Sequence, residues 1–417
     1  MKKRHVHLSD LHGYSRLVID ATLGITDLVE AMHLNFLHLP APFDKARAAR
    51  NQRQHGAVRK VVHKTTGLIY GSIRRATHLL AGGLDVALGR LQPEIEHLHS
   101  TKERDALISI LNGVLGDHMT SRNNRLTITM GWRLDGKNLP ATREALAKAL
   151  PEAQGRILVM VHGHCMNELQ WTTSSGHNHG AVLAAANGFT PMVLRYNSGL
   201  HISKNGRELA EQLEQLVKAW PVPVQEVCIV GYSIGGLLAR SAFHYGAQAQ
   251  HSWMPMARKL IFVGTPHHGS MLEQAGNLVD IALEVSPYSE ALARLGKIRS
   301  AGTTDLRHGN LLDEDWTGRD RFARSADPRQ PVPLPEGVQC YAIAAMISKE
   351  HNNLTAKLVG DGLVPLKSAL GQHHERKRAL HFPHGHQKVF YGMTHLGLLD
   401  SKAVCEQMQQ WLGTPAQ

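Results

Sequence analysis

Cysteine is scarce in this chain: Cys165, Cys228, Cys340 and Cys405 stand far apart, with no C-x-x-C spacing. A disulfide framework is not expected. Free thiols in a reducing compartment are the simplest reading, Cys228 and Cys340 lying within apolar, core-like runs. Long hydrophobic runs are missing too. No stretch of about 18 charge-free apolar residues occurs, so no spanning helix is expected. The basic start MKKRHVHLSD is not followed by a signal-peptide core, because Arg16, Asp20 and Asp27 interrupt the apolar positions. A cytoplasmic protein is the default expectation, with peripheral contact at a membrane surface left open. Aromatic residues amount to only 5%. Within the most basic stretch Tyr70 is the single aromatic side chain, which disfavours stacking on single-stranded nucleic acid.

Acidic residues are absent where basic ones concentrate. Residues 45–75 carry nine Lys and Arg side chains (Lys45, Arg47, Arg50, Arg53, Arg59, Lys60, Lys64, Arg74 and Arg75) and no Asp or Glu. This stretch stands out within a net charge of +11. It fits a solvated helical face, an anionic bilayer or an acidic partner. Histidine, by contrast, is abundant at 28 residues. Its tightest cluster, His381, His384 and His386, lacks a helical i, i+4 pair and a nearby cysteine, so no metal is expected there.

A length of 417 residues with 42% apolar content suggests a globular chain with one large domain plus additions, or two domains. The texture changes near residue 120. Residues 15–39 and 57–91 have helical apolar spacing, with Pro40 and Pro42 ending the first, and a short helix is expected over Glu103 to Leu115. The division is therefore a helical section at 1–120 and a second domain at 121–417. From Arg125 strands and helices alternate. A hairpin is expected around Gly131 and a helix over Thr142 to Leu150. Buried-strand runs follow at 156–161, 191–195, 226–230, 259–263, 338–345 and 388–391, with helices at 206–220 and 235–245. This alternation predicts βαβ units and a mostly parallel sheet with helices on both faces. Between about 269 and 337 no clear strand occurs, and an insertion of that length is expected to form a cap.

One segment, Glu226 to Arg240, carries the chemistry. In EVCIVGYSIGGLLAR a serine, Ser233, stands between Gly231 and Gly235, after a strand pattern and before a helical one. A nucleophile elbow needs glycine two residues either side of the serine, where side chains would clash. The turn exposes the serine at the carboxyl ends of the strands, beside free helix N–H groups. Serine is a weak nucleophile without a base, so partners are required. Two backbone donors should hold a developing oxyanion: the N–H of Ile234, and the N–H of His164 in the loop His162-Gly163-His164 after the 156–161 strand. An acid and a histidine should follow in that order. Asp361 between Gly360 and Gly362 suits the acid, ahead of Asp313 and Glu314. His395, after the last strand, suits the base, ahead of His384 and His386, which precede that strand.

The set HGH, GYSIGG, GTPHHGS (Gly264 to Ser270), GDGLVP and MTHLGLL resembles the α/β-hydrolase lipases and esterases. It looks most like the branch of bacterial triacylglycerol lipases and GPI inositol-deacylase-like proteins, from roughly Arg125 to the C-terminus. The resemblance implies an α/β-hydrolase fold and a serine ester hydrolase with Ser233, Asp361 and His395 as its triad, His164 and Ile234 as its oxyanion hole, and no metal or cofactor. His267 and His268 then have structural or pocket-lining roles. Ester or lipid small molecules are the expected substrates, with an intracellular ester favoured because the calcium-binding pattern of secreted bacterial lipases is not evident. The basic 45–75 segment offers contact with anionic membrane. Two other readings stay open: acyl transfer from the same triad, and a non-catalytic lipid- or partner-binding scaffold.

Overall fold

The computed structural model describes residues 102–173, 175–270, 299–321, 327–349 and 359–413. The helical patterns at 15–39 and 57–91, the basic stretch 45–75, and residues 271–298 and 322–326 of the expected cap lie outside the described residues. The chain divides into two compact units, one of Met1–His99 with Arg122–Leu126 and one of Ser100–Ser121 with Thr127–Gln417. All elements named below belong to the second.

Its eight strands are β1 (Gly131–Leu134), β2 (Lys137–Leu139), β3 (Arg156–Val161), β4 (Thr190–Arg195), β5 (Glu226–Tyr232), β6 (Ala257–Val263), β7 (Gln339–Met346) and β8 (Gln387–Tyr391). They form one sheet in the order β2-β1-β4-β3-β5-β6-β7-β8. β1 is antiparallel to β2 and β4, and β3 to β8 run parallel. Six parallel strands with crossover helices and an antiparallel hairpin at one edge make this an α/β-hydrolase fold. The helices are α1 (Lys102–Ser121), α2 (Arg143–Ala149), α3 (His179–Asn187), α4 (Ile202–Ala219), α5 (Ile234–Gln248), α6 (Ala301–Asp305), α7 (Leu366–Ala369), α8 (Gly397–Asp400) and α9 (Lys402–Gly413).

Successive strand side chains point to opposite faces, and both faces here are covered. On one, Ile157, Val159, Val161, Val227 and Ile229 pack with Leu209 and Leu213 of α4 and Leu237 and Leu238 of α5. On the other, Leu158, Met160, Cys228 and Val230 pack with Leu183 of α3 and Val404, Met408 and Leu412 of α9. Each such side chain contributes on the order of 1.5–3 kcal/mol when fully buried. All four cysteines are free, and three of them are buried.

Two expectations need correction. The hairpin turns at Asp135-Gly136 rather than at Gly131, which is the first residue of β1. Both turn residues have positive φ, 49° and 76°. A two-residue hairpin turn of this kind requires that conformation, and Asp-Gly supplies it at little cost. The helix expected over Glu103 to Leu115 is longer, spanning Lys102–Ser121, and it is tied to the end of β4. From α1, Asp105 pairs with Arg195 at 3.1 Å. The Ser300 hydroxyl donates to the Gly113 carbonyl at 2.6 Å, and Asn197 Nδ2 donates to the Gly116 carbonyl at 3.2 Å. Arg195, buried at the end of β4, also forms two 2.6 Å bonds with Glu168. A buried guanidinium needs such fixed carboxylates, and this requirement ties α1 to the sheet.

Candidate active site

β5 runs directly into α5 through Ser233, whose backbone is held at φ 54° and ψ −126°. A positive φ at a non-glycine residue costs on the order of 1–3 kcal/mol and persists only where its surroundings enforce it. Here the Ser233 N–H donates to the Val263 carbonyl at 2.8 Å. The neighbouring glycines make the turn sterically feasible. A Cβ on Gly231 would lie 2.6 Å from Gly236 Cα, and one on Gly235 would lie 2.5 Å from the Val161 carbonyl oxygen. Ile234, the first residue of α5, has a backbone N–H without an intrahelical acceptor.

Asp361 and His395 meet from two separate loops. The former lies between Gly360 (φ 59°) and Gly362 (φ 97°) ahead of α7, the latter in the turn between β8 and α8. Asp361 Oδ2 is 2.7 Å from His395 Nδ1, and both side chains are almost wholly enclosed. The other carboxylate oxygen accepts the N–H groups of Leu363 and Val364 at 3.0 and 2.8 Å. The His395 N–H in turn donates to the Asp361 carbonyl at 3.0 Å. A carboxylate only accepts, so the facing Nδ1 carries the imidazole proton and Nε2 presents its lone pair.

The His395 ring sits against the ring of Tyr232, the residue before Ser233, with centroids 4.9 Å apart. A Cβ on Gly264, just past β6, would lie 2.9 Å from His395 Cε1. The elbow, the Asp361–His395 pair and the end of β6 are thus gathered at the carboxyl ends of the parallel strands.

The loop after β3 lies at the same end. His162 stacks on Tyr196 with ring centroids 4.3 Å apart, and its carbonyl accepts the Tyr196 hydroxyl at 2.9 Å. Burial pushes the His162 imidazole down to about 3 and that of His164 down to about 4, so both are neutral near pH 7. His164 Nε2 meets the Thr303 hydroxyl at 3.1 Å. Cys165, with φ 58°, donates its N–H to the Ser198 hydroxyl at 3.0 Å. These contacts fix the backbone on either side of His164.

The lesser candidates are placed elsewhere. Asp313 pairs with Arg207 at 2.7 Å on a partly exposed face, and Glu314 is exposed. His386 hydrogen-bonds the Cys340 carbonyl at 3.0 Å near the start of β7, the opposite end of the sheet. His384 is exposed. His267 is fully buried against Arg240, 3.3 Å away, and burial holds its imidazole well below the usual range. Sequence reasoning missed Tyr232, Tyr196 and Thr303. The first two had a usable signal, an aromatic residue at or just past a strand's carboxyl end; Thr303 had none.

A family model described as "Domain of unknown function (DUF7379)" matches residues 126–305. No curated protein matches the chain. Among solved structures the chain is similar to the mature form of the lipase BlEst2 of Bacillus licheniformis, at 20% identity over 61% of this chain and 91% of that one, with a TM-score of 0.40. The propeptide form of that lipase gives 19% identity over 69% of this chain and 54% of that one, with a TM-score of 0.42. The phospholipase PlaB of Legionella pneumophila gives 14% identity over 63% of this chain and 61% of that one, with a TM-score of 0.39.

Proposed function

We propose that the protein is a serine hydrolase that cleaves carboxylic esters, including lipid esters, through an acyl-enzyme on Ser233. The observation that carries this reading is the enclosed Asp361–His395 pair, 2.7 Å apart, packed against the residue that precedes the strained Ser233. A binding scaffold has no need of a carboxylate, an imidazole with a free Nε2 lone pair and a serine at one end of a sheet.

In the proposed reaction His395 Nε2 takes the Ser233 hydroxyl proton as Oγ forms a bond to the ester carbonyl carbon. The backbone N–H groups of Ile234 and His164 stabilise the oxyanion. Asp361 stays ionised and stabilises the imidazolium. The ester C–O bond then breaks, and the alcohol leaves with the proton from Nε2. Water attacks the acyl-enzyme, giving one proton to Nε2; the acid departs as Ser233 Oγ regains that proton.

The test is covalent labelling with a fluorophosphonate probe, alongside hydrolysis of p-nitrophenyl esters of increasing chain length. Labelling of the wild type and its loss in Ser233→Ala are expected. A folded wild type that takes up no probe would overturn the reading.

A further inference from the structure

Beyond the elbow, His177, His179 and Cys405 bring two imidazole nitrogens and a sulfur within 4.8 Å of one another. They come from two segments distant in sequence. His177 lies in the loop before α3, His179 is the first residue of α3, and Cys405 lies in α9. The proposed hydrolysis uses none of the three. His179 and Cys405 are buried, at 0% and 3% exposure, and His177 is half-buried.

Hydrogen bonding settles which way the buried imidazole presents itself. His179 Nε2 lies 2.8 Å from the Leu398 carbonyl. A carbonyl only accepts, so Nε2 carries the proton and Nδ1 presents a lone pair toward the cluster. An outer N–H held by a backbone carbonyl is the arrangement that orients imidazoles which ligate metals. His177 Nε2 faces that lone pair at 2.8 Å, with the two rings nearly perpendicular at 83°. Asp400 stands beside them, its Oδ1 accepting the Thr173 and Ser175 hydroxyls at 2.6 Å each.

We propose that His177, His179 and Cys405 bind one divalent cation of the zinc type, with water in the fourth position. Two imidazoles and a thiolate suit a borderline-soft ion and not magnesium or calcium, which favour oxygen. Binding releases the Cys405 thiol proton to solvent and moves the His177 proton from Nε2 to Nδ1, freeing both facing nitrogens. The ion joins the loop before α3 to α9. Because His179 also holds Leu398, three residues after His395, the ion braces the turn that carries His395.

The experiment uses the full chain, stripped with chelator under reducing conditions and dialysed against Zn2+ or Co2+. One equivalent of zinc retained is the expected result, together with a near-ultraviolet thiolate-to-cobalt charge-transfer band in the Co2+ form. Cys405→Ser should remove the band. Since Cys405 is buried, His177→Ala in the half-buried loop serves as the second variant, with circular dichroism checking its fold. It should weaken retention by about tenfold or more. Two imidazoles that only hydrogen-bond each other would retain no zinc, and that result overturns the proposal. So does cobalt bound without the thiolate band, or retention unchanged in a folded His177→Ala.

Discussion

The hydroxyl of Tyr232 donates to the carbonyl of His395 at 3.0 Å while its ring packs against the imidazole of the same residue. Tyr232 is the last residue of β5 and precedes Ser233, so one side chain connects the elbow strand to the loop after β8. It also faces the loop after β3: a Cβ on Gly163 would lie 2.8 Å from its ring.

That contact predicts a positioning role. Tyr232→Phe keeps the ring and removes the hydroxyl, leaving an enclosed carbonyl with a lost donor at a cost of about 1–3 kcal/mol. kcat on p-nitrophenyl esters should fall several-fold with KM nearly unchanged. An unaltered kcat in a variant of reduced thermal stability would assign Tyr232 to packing alone.

Asp361→Asn should be far more damaging. An amide Nδ2 facing His395 Nδ1 favours the tautomer with the proton on Nε2, where the base needs a lone pair. A loss on the order of 10⁴ in kcat is expected with the fold intact, a magnitude known from the serine protease case. Steady-state kinetics beside circular dichroism check it, and near-wild-type turnover would remove Asp361 from the proposed triad.

Stability should fall in mild acid. Burial lowers His162 to about 3, His164 to about 4, and His268 to about 3 in the folded protein. In the unfolded chain each titrates near 6.5, so between about pH 6.5 and 4 the unfolded state binds more protons. The contribution of these neutral imidazoles is complete above pH 6.5 and is lost as the pH drops toward their folded values. Urea midpoints should therefore decrease steadily from pH 7 to pH 4.5. His162→Gln should flatten part of that slope, and a slope identical to wild type would contradict the assignment.

For the basic residues 45–75 we propose electrostatic contact with anionic bilayers. Co-sedimentation with vesicles containing phosphatidylserine should exceed that with neutral vesicles at low salt and fall at high salt, because salt screens the attraction between opposite charges. Equal partition to both vesicle types would argue against it.

Much of the arrangement is legible along the chain because its causes are local. Six of the eight strands are short apolar runs whose observed bounds lie within two residues of those read from the sequence. Gly231 and Gly235 declare a steric need at the turn they form, and Gly360 and Gly362 hold positive φ on either side of Asp361. The hairpin turn also has a local signal, the turn dipeptide Asp135-Gly136, whereas the lone Gly131 on which the expectation rests opens β1.

Other features depend on pairings that no periodicity encodes. The place of α1 follows from where Arg195 finds carboxylates, Glu168 nearby and Asp105 ninety residues upstream. The meeting of His177 and His179 with Cys405 requires α3 and α9 to share one face of the sheet. By itself the sequence determined the element types, the strained serine turn and the order in which serine, acid and histidine occur, because backbone sterics and hydrophobic period act over a few residues. Tertiary structure alone decided that Tyr232 reaches the His395 carbonyl and that Asp361 and His395 close to 2.7 Å. Those contacts arise from the alignment of separate strands in the sheet, and hydrogen-bond distances are set only once that alignment exists.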